Sequence, residues 1–123
     1  MTHILDTARL GLIEQAGTAV AILVEGLEQT ELLRSRLTRS EVLRQLHLLA
    51  ASAAEVEPPM RARMPELDWP VWDSMRSRLA TSSRAVQDET LWFATSSLVP
   101  VTLLWLRVYQ QSQPELFRLA PTC

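Results

Sequence analysis

Helix signals recur along nearly the whole 123-residue chain, and no stretch carries a comparable strand signal. Glycine occurs only at Gly11, Gly17 and Gly26, and no Asn-Gly or Asp-Gly pair is present. Tight hairpins therefore lack the residues that make their turns. Apolar residues instead recur at three- and four-residue steps, punctuated by prolines and polar caps. This pattern predicts an all-α chain: an antiparallel bundle of four to five helices, one domain over residues 1–123, with residues 118–123 a loose tail. Apolar residues make up 47% of the chain and charged residues 21%. That balance supports a core without staples.

The spacing predicts a first helix from about Thr2 to Glu28, with Leu5, Ala8, Leu12, Ala16, Ala19 and Leu23 as its inner stripe. Gly11 and Gly17 lie off that stripe; they weaken the helix and leave room for a neighbour to approach. A short helical turn over residues 30–36 follows. The second helix opens on Thr38-Arg39-Ser40-Glu41, which reads as a capping box. Val42, Leu46, Leu49, Ala53 and Val56 form its stripe, and Pro58-Pro59 end it. A connector with irregular turns leads to a third helix near Trp69, with Pro70 in its first turn. Trp72, Met75 and Leu79 share one face, and the helix weakens at residues 81–83. The fourth helix is expected from Asp88, as N-cap, to about Gln111, kinked at Pro100, with Pro114 past its end. It carries two apolar stripes: Trp92, Val99, Leu103 and Leu106 on one side, Leu98, Val101, Trp105 and Val108 on the other. A helix apolar on both sides is buried on both sides. One side faces the bundle, and the other is expected to face a second copy in a homodimer. The alternative is a cover from the N-terminal arm or the tail.

Composition removes several function classes. The net charge is −2, so no global basic field advertises nucleic acid. All 12 cationic side chains are arginine, which can grip phosphate bidentately. A local arginine cluster therefore matters more than the total. The single cysteine, Cys123, allows neither an internal disulfide nor a cysteine metal site. Residues 1–17 have no basic start before an uninterrupted apolar run, unlike a signal peptide. The longest greasy run, residues 98–106, is shorter than the ~18–20 residues a span needs. A soluble, cytoplasmic protein is the expectation. His3 and His47 belong to no ligand spacing, so neither a metal nor another cofactor is expected. There is no glycine-rich phosphate loop. The four tryptophans, at helical spacing, read as core ahead of base-stacking platforms. Arg76, Arg78 and Arg84 fall within nine residues, with Arg61 and Arg63 just before that helix. They are either an anion-binding patch or a solvated helix face, and charge alone does not choose.

The stretch "MPELDWPVWDSMRSRLATSSRAVQDETLW" resembles the signature region of the HepT-like branch of the HEPN domains. In that branch a Pro-x-[Ile/Leu]-x-Trp entry leads to a helix bearing Arg-Asn-x-x-x-His-x-Tyr, then a spacer and a helix start ending in Trp. The match runs without a gap from Pro65 to Trp92. Pro65 and Trp69 fit the entry, Arg76 the family arginine, and Val86, Glu89, Leu91 and Trp92 the following helix. "VLRQLHLLAASAA" resembles the family's apolar second helix, with Ala50 and Ala51 where the family has Gly-Glu. The resemblance implies a helical homodimer and a metal-independent ribonuclease, the toxin of a toxin–antitoxin module. It further implies a minimal nucleotidyltransferase antitoxin that silences the toxin by adenylylating the motif tyrosine.

The departures from the family pattern outweigh the matches. Thr81 stands at the family histidine, Ser77 at the asparagine and Ser83 at the tyrosine. Metal-free RNA cleavage needs a group that takes and gives protons near neutral pH, as histidine does. A threonine hydroxyl only hydrogen-bonds, and losing a general acid or base typically costs about 10²–10⁴ in rate. Arg76 alone can bind phosphate, with Arg78, Arg84 and Ser77 as further phosphate contacts. Ser83 keeps a hydroxyl at the position of modification. The chain therefore reads as an inactive or weakly active copy that acts by binding. Its partner would be a nucleotidyltransferase, a HepT-like paralogue or RNA. The alternatives are an active ribonuclease with a non-standard acid/base, and an unrelated helical interaction or scaffold module.

Overall fold

A computed structural model describes residues 2–118, the side chains of residues 2 and 3 excepted. Cys123, the tail beyond Arg118 and the His3 side chain lie outside the described residues. Within them the chain is all-helical. Helix α1 spans Thr2–Val24, α2 Gln29–Arg34, α3 Arg36–Glu55, α4 Pro58–Ala62, α5 Trp69–Leu79, α6 Arg84–Phe93 and α7 Val99–Ser112. Single 3₁₀ turns at Pro65–Leu67 and Pro114–Phe117 fill the connections, and a π turn at Ala94–Leu98 joins α6 to α7.

The bundle is built on α1 and α3. They run antiparallel: the Asp6 carboxylate accepts from the Glu57 amide at 3.2 Å, and Arg9 donates to the Glu55 carbonyl at 2.6 Å. Nearer their middles, Gly17 comes against Leu49. Helix α7 also packs on α1, antiparallel to it, with Gln110 donating to Glu14 at 2.6 Å. A Cβ built on Gly17 would sit 3.0 Å from the Leu103 side chain, so α1 and α7 approach closely there. Helix α5 packs on α3 and α6 on α5. The shared core includes Leu10, Ile13, Val20, Leu46, Leu49, Trp72, Met75, Leu79, Leu91 and Leu106. Burying side chains of this size stabilises by about 1.5–3 kcal/mol each, which is what holds helices of modest intrinsic stability.

The inner face of α1 matches the expected one only in part. Ala16 is buried and Leu23 packs on the core as expected, but Leu5 and Leu12 are each 53% exposed, while Asp6, Thr7, Leu10, Ile13 and Val20 are buried instead. Apolar side chains surround α1, so periodicity does not tell its inside from its outside. The true inner face also contains two polar residues, each satisfied. Thr7 donates to the Leu116 carbonyl at 2.8 Å, and Asp6 holds Arg9 and the Glu57 amide.

Three helix ends differ from the expected ones. Helix α1 stops at Val24 rather than Glu28, because Gly26 takes φ +76 and turns the chain. Helix α3 is capped by Ser35, whose hydroxyl accepts from the Thr38 amide at 3.3 Å; Thr38 itself lies inside the helix. Glu41 binds Arg44 and Gln45 instead of completing a capping box. Helix α6 begins at Arg84 under a Ser83 cap, four residues before the expected Asp88.

The Pro100 kink takes the form of the π turn. Proline removes one ladder hydrogen bond and clashes with the carbonyl four residues back. Widening the preceding turn relieves that conflict. One inserted residue also rotates the helix face by about 100° relative to a regular 3.6-residue repeat. That is why Leu98 is buried and Trp105 half-buried, while the outward stripe of α7 is Val101, Leu104 and Val108.

Two helical stretches, Ile4–Val24 and the continuous Arg84–Ser112, are long and apolar enough to cross a membrane by length and composition. The expectation drawn from uninterrupted apolar runs is narrower than this. Both stretches also supply the bundle core, with 33% and 39% of their most apolar windows buried.

Candidate functional site

Arg76 sits on α5, one turn before the helix ends. It is exposed, and its side chain makes no ion pair or hydrogen bond among the described residues. The helix closes at Leu79, with the Ala80 amide donating to the Arg76 carbonyl at 3.1 Å. Thr81 and Ser83 therefore lie beyond the helix, in the turn to α6. Both hydroxyls have structural work there. Thr81 Oγ1 accepts from the Ser83 amide at 3.2 Å, and Ser83 Oγ accepts from the Val86 amide at 3.3 Å. The first is a local side-chain turn and the second an N-cap. Ser77 is exposed and donates back to the Ser74 carbonyl at 3.0 Å.

The arginines divide by use. Arg61 forks onto Asp73 at 2.7 and 2.8 Å, donates to the Ala53 carbonyl and lies 4.9 Å over the Trp69 ring. This clamp ties α3, α4 and α5 together. The Arg61 hydrogen bond holds the Asp73 carboxyl below its ordinary range, against a smaller opposing effect of burial. Arg63 reaches Gln113 and Glu115. These two arginines belong to the scaffold and do not extend a free basic patch.

Arg84 behaves differently. It donates to Asp88 at 3.2 Å, and the same carboxylate oxygen accepts from Arg39 at 2.6 and 3.0 Å. Arg39 also reaches Gln87, which donates to the Leu79 carbonyl at 2.7 Å. The start of α3, the end of α5 and the start of α6 are thereby locked together. Burial pushes the Asp88 carboxyl up, but the hydrogen bonds from Arg39 and Arg84 outweigh it and hold the group low. Arg78 lies apart from this lock, beside Glu89 and Phe93 along a shallow depression of about 250 Å³.

A second groove, of about 430 Å³, opens next to the lock and is lined by Arg34, Arg36, Arg39 and Arg84 with Ser40. Of these arginines only Arg84 is among the phosphate contacts expected from the sequence. Arg34, Arg36 and Arg39 fall within six residues, a signal available in the sequence. Folding is what brings Arg84 to them.

Trp69 and Trp72 are core residues: Trp69 donates to the Met64 carbonyl at 2.9 Å and Trp72 to Thr102 at 3.1 Å. Trp105 packs on Tyr109 with ring centroids 6.0 Å apart. His47 is half-buried on α3 and joins none of the hydrogen bonds around Arg76, Thr81 or Ser83. Among the described residues no group of three or more His, Cys, Asp or Glu side chains is placed to hold a metal ion. Comparison with protein families, with curated proteins and with solved structures returns no match, so the HepT-like resemblance rests on the motif itself.

Proposed function

We propose that the chain is a catalytically degenerate HepT-like HEPN protein that acts by binding. One observation carries this reading. Where the motif calls for a proton-transferring histidine and a modifiable tyrosine, Thr81 and Ser83 use their hydroxyls to shape the turn and cap α6. Arg76, in the last turn of α5, stays exposed and unpaired, fit to hold a phosphate but without a proton-transfer partner. In this reading the protein is a cytoplasmic homodimer. Its partner is RNA, a nucleotidyltransferase antitoxin or an active HepT-like paralogue. The exposed α7 stripe of Val101, Leu104 and Val108 is the face suited to the second copy.

The test restores the missing groups. Thr81→His, alone and with Ser83→Tyr, is purified and incubated with single-stranded RNA. Appearance of cleavage that vanishes on adding Arg76→Ala supports the lineage. Folded variants that leave RNA intact count against it.

A further inference from the structure

The arginine-lined groove belongs neither to the motif nor to the scaffold clamps. Its residues come from the end of α2, the first turns of α3 and the first residue of α6. Four arginines line it together with Ser40, while Leu33 and Leu43 complete its wall. Bringing four cations together in one concavity is unfavourable unless an anion joins them.

One carboxylate fills that role for half of them: Asp88 pairs with Arg39 and Arg84, and Arg34 and Arg36 are left without an anion. Glu41 is held by Arg44 and Gln45, and Glu31 accepts from the Glu28 amide. Arg34 and Arg36 are exposed and make no ion pair among the described residues. Two arginines are thus fixed in place by Asp88 and Gln87, and two are free to close over a ligand. A fixed pair lowers the ordering cost of binding, and guanidinium forks match phosphate oxygens.

We propose that this groove binds phosphate groups. It has no aromatic lining, so the recognised feature is the phosphate itself and not a base. The ligand is either the backbone of a single-stranded RNA or a free phosphorylated compound. In the first case the groove supplies the binding face required by the proposed function, and rests on it. In the second it stands by itself.

The discriminating variant is Arg34→Gln with Arg36→Gln, which alters two exposed side chains that make no hydrogen bond or ion pair among the described residues. Arg76→Gln with Arg78→Gln serves as the comparison. Binding of a labelled single-stranded RNA is followed by anisotropy across a salt series, and inorganic pyrophosphate is titrated calorimetrically. The groove variant is expected to bind about tenfold more weakly at low salt. For RNA, its salt slope falls by about 1.4, since each phosphate contact in a single strand contributes about 0.7. Pyrophosphate binding without RNA binding assigns the groove to free phosphorylated compounds. Undiminished binding by the groove variant overturns the proposal, as does failure of the wild-type protein to bind either probe. RNA binding lost only in the Arg76/Arg78 variant also overturns the groove and leaves the functional reading standing.

Discussion

Two side chains at the motif show how a catalytic position can be absorbed by the fold. Ser83 caps α6, so Ser83→Ala should lower stability by about 1 kcal/mol, measured by urea denaturation. A serine that served only as a surface residue would give no loss. Asp88 offers a separate check through pH. Its carboxyl titrates lower in the folded protein than in the unfolded chain. Its ionisation therefore stabilises the fold above the unfolded value, near 3.9, and that contribution is lost as pH falls through the lower folded value. Acid unfolding of Asp88→Asn should accordingly be shallower below about pH 4 than that of the wild-type protein. Parallel acid limbs would mean that the Arg39–Asp88–Arg84 lock does not stabilise the fold.

At the scale of elements, the two α1 glycines make a paired prediction. A Cβ on Gly11 meets nothing within 4 Å, so Gly11→Ala should gain close to the full helix-propensity difference, about 1 kcal/mol. At Gly17 the added methyl meets Leu103 at 3.0 Å, and crowding offsets that gain. Thermal melts should rise for Gly11→Ala, by about 4 °C, and rise less or fall for Gly17→Ala. Equal gains would contradict the close α1–α7 approach. These helices also mark how far the residues alone disclose the fold. Helix α5 is readable from Trp69 to Leu79 because prolines and alternating faces agree there. Helix α1 is legible as a helix but only partly in its facing, because Leu5 and Leu12 lie outside and Asp6 and Thr7 inside. The phase of α7 is lost at the π turn, which no residue repeat announces. Arg76, Thr81 and Ser83 are legible as positions. The groove joining Arg84 to Arg34, Arg36 and Arg39 is not, because it depends on long-range packing.

For the whole molecule, the bundle closes around its own core yet leaves Val101, Leu104 and Val108 exposed along α7. Sedimentation should report a concentration-dependent dimer, and Leu104→Glu should shift it to monomer without loss of helicity. A wild-type protein that stays monomeric at high concentration would remove the homodimer from the account. The central claim is binding without cleavage, and purified protein incubated with single-stranded RNA tests it most directly. RNA should remain intact with the wild-type protein and with Arg76→Ala alike. Cleavage products that form with the wild-type protein and disappear in Arg76→Ala would contradict it.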